Sequence, residues 1–288
     1  MQELLELKNI KKYFPLTQGQ RIGKQSFVRA VDGVDLKILK GQNLGLVGES
    51  GCGKTTLGRI ILKLIQPEDG SILYEGEDIT RLSPRSMRPF RAKMQMVFQD
   101  PNNSLDPRFM VRNLIGEALS YNPARKKQKR DERIRELLSM VKMPTDTLMR
   151  YPHEFSGGER QRIAIARALA MDPDLLILDE AVSSLDVLVQ DQILRLLEDL
   201  QKETNATLLF ISHNLKVVRR LCRWIAVMFR GKIVELSTTE EIFNNPLHAY
   251  TKMLLSAAIH YRIGIAQDIE VSANSQLVEQ SPGHYVRT

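Results

Sequence analysis

The residues between Gly48 and Thr56 have types and spacing that suit phosphate binding. In order they are Gly48, Glu49, Ser50, Gly51, Cys52, Gly53, Lys54, Thr55 and Thr56. The first eight fit the pattern GxxxxGK(S/T), and they lie between a short apolar run, LGLV, and a helical pattern. Glycines let backbone N–H groups curl around phosphate oxygens, and a helix N-terminus adds partial positive charge. We predict a nucleotide-binding phosphate loop in which Lys54 reaches the β- and γ-phosphates and the Thr55 hydroxyl binds Mg²⁺.

Two adjacent carboxylates, Asp179 and Glu180, follow the apolar run Leu175–Leu178. This run is typical of a buried strand, and ligands bind at the carboxyl ends of strands in open α/β sheets. Successive strand residues point to opposite faces, so the two carboxylates can take different roles. We predict that Asp179 reaches the Mg²⁺ shell and that Glu180 orients and deprotonates the attacking water in phosphoryl transfer. The alternative is that both carboxylates merely cap the following helix.

A third motif begins at Phe155 and reads FSGGERQR. Ser156 and Glu159 fit an ordinary S-x-x-E capping box, which leaves Gly157 and Gly158 unexplained, because glycine lowers helix stability. The motif and its place shortly before LLILDE resemble the signature sequence of ABC ATPases. The resemblance implies that backbone N–H groups at this helix start bind the γ-phosphate of ATP held by a second subunit.

The remaining elements of that family follow in order along the chain. Tyr13 is similar to the aromatic residue that stacks on adenine, although packing in an edge strand would also explain it. Gln99 is similar to the Q-loop glutamine, which senses Mg²⁺ and water and couples to the membrane partner. Asp186 lies in a segment that resembles the D-loop, which crosses the dimer interface, and the resemblance implies that it contributes to nucleotide binding there. His213 follows the apolar run LLFIS and is similar to the switch histidine, so we expect it to contact the γ-phosphate at the end of a buried strand, although a lone histidine is often structural.

The resemblance runs from about Leu4 to Ala257, with two departures. The chain has DEAVSSLD where the family commonly has DEPTSALD, but Glu180 and Asp186 are kept. It has Glu159 where many members have glutamine, a variant that is common in the peptide-uptake branch.

Three segments resemble the oligopeptide, dipeptide and nickel importer branch: QDPNNSLDPR from Gln99, NPLHAYTKMLL from Asn245 and SPGHYV from Ser281. Cysteines that can hold an iron–sulfur cluster in that branch are missing from this tail, so we expect no cluster.

Strand patterns alternate with helical patterns, which favours an α/β domain with a largely parallel sheet. We predict a P-loop NTPase core of the ABC ATPase type, with an antiparallel β subdomain and an inserted helical subdomain. The expected bounds are 1–257 for the ATPase domain, about 100–170 for the helical subdomain and 258–288 for a C-terminal extension of the peptide-importer type. The opening LLELKNIKKYF favours an edge strand, residues 17–26 favour a loop, and residues 259–288 are expected to be less ordered.

Composition narrows the classes of function. The chain has 288 residues, 43% of them hydrophobic, and a net charge of +7. No apolar stretch reaches the roughly 18–20 residues that span a bilayer, and the N-terminus is unlike a secretory signal. The basic run 125–135 lacks interleaved aromatics, which favours a solvated helix face over a nucleic-acid surface. Cys52 and Cys222 are expected to be unpaired thiols. The resemblance therefore places the chain at the cytoplasmic face of the inner membrane, held there by partners.

The motifs predict an ATP- and Mg²⁺-dependent ATPase, and the resemblance to the peptide-importer branch implies that it energises uptake of di- or oligopeptides. The expected partners are a second ATPase subunit, identical or paralogous, two permease subunits and a periplasmic or extracellular solute-binding protein, with no nucleic acid. Nickel or a metal chelate is the alternative solute. A soluble ABC protein of DNA repair or translation is less favoured, because coiled-coil arms, zinc modules and a second ATPase half are not visible. A non-hydrolytic regulatory subunit is disfavoured by Glu180 and His213.

Overall fold

The computed structural model describes residues 2–16, 27–100, 104–122, 129–260, 269, 271–272 and 275–288. The predicted loop 17–26, residues 101–103 of the extended Q-loop and residues 125–128 of the basic run lie outside this part. The chain divides into two compact units. Unit 1 comprises Met1–Leu82 and Phe210–Thr288, and unit 2 comprises Ser83–Leu209. Within the described ranges no helix combines the length and apolar character that a bilayer crossing needs.

Unit 1 contains most of the strands. In chain order, its elements are β1 (Glu3–Pro15), β2 (Phe27–Leu39), β3 (Asn43–Val47), α1 (Lys54–Ile61), β4 (Asp69–Tyr74), β5 (Glu77–Asp78), the end of β8 (Thr207–Ser212), α7 (Leu215–Leu221), β9 (Trp224–Phe229), β10 (Lys232–Thr238), α8 (Thr239–Asn244), α9 (Ala249–His260), β11 (Leu277–Ser281) and β12 (His284–Arg287).

One sheet of unit 1 is antiparallel and has the strand order β2-β1-β4-β5. The prediction of an edge strand at the N-terminus is wrong, because β1 pairs with β2 on one side and with β4 on the other. The alternation that suggested an edge reports only that one face is buried, here through Leu5 and Leu7. It carries no information about how many neighbours the strand has.

The other strands of unit 1 follow the order β11-β12-β10-β9-β3. β3 and β9 are parallel, and the remaining pairs are antiparallel. The expectation that residues 259–288 are less ordered is wrong for β11 and β12, which form a hairpin at Pro282-Gly283 and pair with β10. The fading apolar pattern misled the prediction, because β11 is largely exposed on the outer side of the hairpin.

Unit 2 contains most of the helices. Its elements are α2 (Arg88–Lys93), β6 (Met94–Val97), α3 (Val111–Tyr121), α4 (Arg130–Met140), two short 3₁₀ helices (Thr145–Met149 and Pro152–Glu154), α5 (Gly157–Leu169), β7 (Leu175–Asp179), α6 (Val187–Thr204) and the start of β8. β6 and β7 pair in parallel. The packed faces of α3, α4 and α5 are apolar, with Ile115, Ile134 and Ile163 fully buried. The domain bounds 1–257, 100–170 and 258–288 stay a prediction.

Candidate active site

The phosphate loop of unit 1 joins β3 to α1. Gly53 has φ +111°, and a Cβ atom there would lie 1.9 Å from the Ala30 carbonyl oxygen. A Cβ atom at Gly48 would lie 2.2 Å from the Met228 carbonyl oxygen. Both distances are shorter than any tolerated contact with backbone, so only glycine fits at these two positions. The chain therefore curls tightly between β3 and α1, as the motif predicts.

The Lys54 ammonium lies inside this loop. The residue is 4% exposed, and its Nζ donates to the carbonyl oxygens of Gly48 at 2.8 Å and Glu49 at 2.7 Å. A buried cation bonded to neutral carbonyl groups favours an anion at the mouth of the loop. The Cys52 Sγ is 3.7 Å from the same Nζ, and burial raises the pKa of the Cys52 thiol. Cys52 and Cys222 are both unpaired and buried.

The other loop residues that the motif predicted lie around this cation. Thr55 and Thr56 are half-buried in the first turn of α1, while Glu49, Ser50 and Gly51 are exposed at the loop's outer edge. Gly51 has φ +82° and open space around its Cα. The structure thus brings the whole predicted set from Gly48 to Thr56 together.

Tyr13 lies on β1 opposite Arg29 of β2. Its hydroxyl donates to Asp32 Oδ1 at 2.6 Å, and the Arg29 guanidinium lies 5.7 Å from the ring centre. Burial and the hydrogen bond to Asp32 raise the pKa of Tyr13 to about 12. Asp32 and Gly51 line a cavity of about 740 Å³ in unit 1, together with Arg29 and Lys232. Stacking of Tyr13 on adenine stays a prediction, and sequence reasoning missed Asp32 as its anchor.

His213 follows the last residue of β8 directly and is exposed. The next residue, Asn214, caps α7 by accepting from the Lys216 N–H at 3.1 Å. Because the chain turns from strand to helix here, the imidazole sits at the carboxyl end of a buried strand, as expected from the sequence. Its contact with a γ-phosphate stays a prediction.

In unit 2, Asp179 ends β7 and is 2% exposed, and Glu180 follows in a tight turn. Glu180 has φ +48°, a conformation that costs energy for a non-glycine residue. Ser183 closes the turn, because its N–H and Oγ both donate to the Glu180 carbonyl at 3.0 and 2.9 Å. The Gln99 amide donates to Glu180 Oε2 at 3.0 Å. The structure therefore brings Gln99 and Glu180 together, with a hydrogen bond that favours one orientation of the carboxylate.

The signature residues begin α5 of unit 2. Ser156 and Glu159 form the capping box: the Ser156 hydroxyl accepts from the Glu159 N–H, and the Glu159 carboxylate accepts from the Ser156 N–H at 2.9 Å. The Ser156 backbone N–H lowers the pKa of Glu159. A Cβ atom at Gly158 would lie 2.3 Å from a methyl group of Val189 on α6. Close packing against Val189 therefore explains Gly158 without phosphate binding, and sequence reasoning missed this packing role.

Asp186 is the N-cap of α6. Its Oδ1 accepts from the N–H groups of Leu188 at 3.1 Å and Val189 at 3.0 Å. Asp186 was predicted to bind nucleotide across a dimer interface, and within the chain it satisfies the helix start. The signature glycines and this cap lie in the same part of unit 2, since Gly157 faces Leu185 and Gly158 faces Val189.

Oxygen donors of the kind that Mg²⁺ prefers are present in both units. They are the Thr55 hydroxyl in unit 1 and the Asp179 carboxylate and Gln99 amide oxygen in unit 2. Their chemistry fits the predicted Mg²⁺, and their assignment as ligands stays a prediction. The described residues contain no cluster of three or more His, Cys, Asp or Glu side chains that could hold a metal without a nucleotide.

Comparison with known proteins identifies the family. Residues 31–183 match the family model described as ABC transporter. The chain belongs to the ABC transporter family. Residues 234–283 match a second model, described as the C-terminal region of oligopeptide/dipeptide transporters. The chain is therefore a nucleotide-binding ATPase subunit with a mixed α/β fold.

Relatives and solved structures agree with this assignment. The oligopeptide transport ATP-binding protein AppF of Bacillus subtilis is 49% identical, over 88% of this chain and 78% of that protein. The oligopeptide transport ATP-binding protein OppF of the same organism is 44% identical, over 99% of this chain and 96% of that protein. A dimeric post-hydrolysis structure of the ATP-binding cassette MJ0796, bound to ADP and Pi, aligns with a TM-score of 0.72 and 26% identity over 82% of this chain and 99% of that chain.

Proposed function

We propose that this chain binds Mg²⁺-ATP and that its hydrolysis of ATP powers the uptake of di- and oligopeptides. The observation that supports ATP hydrolysis is the hydrogen bond from Gln99 to Glu180. It orients the Glu180 carboxylate directly after the buried end of β7. The peptide part is supported by the match of residues 234–283 to the oligopeptide/dipeptide C-terminal region and by the names of the relatives.

The roles proposed for Lys54, Gln99 and Glu180 rest on their hydrogen bonds, and those proposed for His213, Thr55 and Asp179 rest on the motifs. The loop N–H groups and Lys54 bind the phosphates, and Lys54 exchanges its carbonyl partners for phosphate oxygens. Glu180 accepts a proton from water, and the Gln99 amide keeps its carboxylate from rotating away. His213 contacts the γ-phosphate. Mg²⁺, held by Thr55, Asp179 and Gln99, would neutralise phosphate charge when bound.

A second ATPase subunit completes the site in this proposal. The signature N–H groups at the start of α5 would bind the γ-phosphate of a nucleotide held by the partner, while Tyr13 stacks on adenine in its own subunit. Val187 and Leu188, directly after Asp186, are 81% and 78% exposed. Apolar side chains with this exposure beside the D-loop suit a protein interface. Closing of the dimer on ATP and its opening after hydrolysis would move the permeases.

The proposed docking site for a permease subunit is a groove of unit 2 with a volume of about 740 Å³. Its walls include apolar residues of β6 and α5, and its charged lining is mainly cationic: Arg88, Arg91 and Arg167, with the Glu117 carboxylate 3.4 Å from Arg167. Arg167 is fixed by a 2.7 Å bond to the Ser104 carbonyl. Such a groove suits an amphipathic cytoplasmic helix of a permease with acidic residues at its edge. This docking would hold the chain at the cytoplasmic face of the inner membrane.

Uptake into cells that lack this chain tests the proposed solute. Loss of the gene is expected to abolish uptake of a labelled oligopeptide, and the wild-type chain should restore it. A Glu180→Gln allele should fail to restore uptake, whereas the control Glu203→Gln, an exposed residue late in α6, should succeed. If cells that lack this chain take up the peptide normally but no longer take up ⁶³Ni, the nickel alternative replaces the peptide proposal.

A further inference from the structure

The phosphate loop is anchored by a side chain from the C-terminal part of the chain. The Tyr250 hydroxyl accepts a hydrogen bond from the Glu49 backbone N–H at 3.0 Å. Tyr250 is fully buried, and its ring stacks on Phe229 with centroids 4.1 Å apart. Burial raises the pKa of the Tyr250 hydroxyl, so it stays neutral. The first turn of the loop therefore depends on a residue 201 positions away in the sequence.

A buried carboxylate holds the backbone that carries Tyr250. Glu235 on β10 is fully buried and accepts from the N–H groups of Leu247 at 2.8 Å and His248 at 3.0 Å. The His248 Nδ1 in turn accepts from the Tyr250 N–H at 3.1 Å. These groups lie just before and at the start of α9, where an anion is favoured by the helix dipole. The position of the Tyr250 backbone is thus fixed from β10.

The C-terminal hairpin reaches the same carboxylate. His284, the first residue of β12, is 1% exposed, and its Nε2 lies 2.7 Å from Glu235 Oε1. The hairpin is itself built into unit 1, because Arg287 Nε donates to the Ile233 carbonyl at 2.7 Å. One continuous set of polar contacts therefore runs from His284 through Glu235 and the segment before α9 to the Tyr250 hydroxyl and Glu49.

We propose that this set of contacts, the His284–Tyr250 relay, positions the phosphate loop and sets its affinity for nucleotide. Tyr250 and His284 are positioning residues, and the C-terminal hairpin controls a loop that it does not touch. Without its anchor the loop would also populate other conformations. The apparent affinity for nucleotide would then fall in proportion to the remaining population of the conformation that binds nucleotide. Loss of one hydrogen bond corresponds to a change of about 2- to 12-fold. The inference rests on the proposed ATP binding.

The test uses the full chain and two readouts. Tyr250→Phe keeps the ring against Phe229 and removes only the acceptor, and Tyr121→Phe is the control because Tyr121 is 73% exposed. Without nucleotide, hydrogen exchange in the segment 48–54 is expected to be faster in Tyr250→Phe than in wild type and unchanged in the control Tyr121→Phe. The dissociation constant for mant-ATP should rise about 2- to 12-fold, with the unfolding midpoint nearly unchanged.

The hairpin end of the relay has its own matched pair. His284→Leu removes the donor to Glu235 and should reproduce the faster exchange at residues 48–54, while His284→Gln offers an amide donor and should restore part of the wild-type protection. The double variant of Tyr250→Phe with His284→Leu should weaken mant-ATP binding by less than the product of the two single effects.

Two failures are separable. If exchange at residues 48–54 and mant-ATP affinity are the same in Tyr250→Phe and wild type, the relay is refuted. If no form of the chain binds mant-ATP but exchange rises in Tyr250→Phe and His284→Leu, the anchoring of the loop stands and the proposed function fails.

Discussion

Gly158 offers the sharpest separation of a packing role from a catalytic one. A Cβ atom at this position would lie 2.3 Å from a Val189 methyl group, so Gly158→Ala forces either the Val189 side chain or the helices α5 and α6 to shift. Overpacking of this kind costs about 1–3 kcal/mol of unfolding free energy. Val189→Ala removes the opposing methyl groups. In that background Gly158→Ala should cause no further loss, so the double variant should have the same unfolding free energy as Val189→Ala.

ATP hydrolysis should recover together with stability. The Cβ of Gly158 points at Val189, so the added methyl group displaces the N–H groups at the start of α5 only while the Val189 methyl groups oppose it. We expect Gly158→Ala to hydrolyse ATP more slowly than wild type, and Gly158→Ala with Val189→Ala to match Val189→Ala in both stability and hydrolysis. Thermal unfolding and steady-state phosphate release measure the two quantities. A double variant that regains stability but not hydrolysis would refute the packing explanation of Gly158.

Two further predictions follow from the helix starts of unit 2. Asp186→Ala should lower the unfolding free energy by about 0.5–2 kcal/mol, whereas Asp186→Asn keeps a capping oxygen and should lose much less; denaturant unfolding measures both. Glu159 has a folded-state pKa below its ordinary value of 4.5, so its stabilising effect is complete above that value and is lost as the pH falls through the folded pKa. Wild type should therefore lose stability relative to Glu159→Gln on acidification below pH 4.5. Parallel curves of unfolding free energy against pH for the two proteins would contradict this.

Local sequence predicted the parts of the site that local chemistry determines. The phosphate loop follows from glycine spacing between a strand and a helix, and the capping box of Ser156 and Glu159 follows from two residues three apart. Both are found in the structure. The sequence indicated that Gln99 and Glu180 each follow a strand. It did not show that the two side chains meet, because this depends on the pairing of β6 with β7 in the sheet.

The parts that sequence did not predict depend on long-range packing. β1 lies inside its sheet because β4 pairs on its second side, which alternation cannot show. Tyr13 is held by Asp32 of the neighbouring strand, and Tyr250 reaches Glu49 from the far end of the chain. The segment NPLHAYT indicated a branch of the family, but its pattern did not indicate contact with the phosphate loop.

The central claim is that this chain hydrolyses ATP with Glu180 as the base in a nucleotide-dependent dimer. Steady-state ATP hydrolysis and size-exclusion runs in ATP, for wild type and Glu180→Gln, test it most directly. The account predicts turnover by wild type, a loss of about 10²–10⁴-fold in Glu180→Gln, and a dimer of the variant in ATP. A wild-type chain that stays inactive both alone and with its permeases would contradict the claim and favour a regulatory subunit.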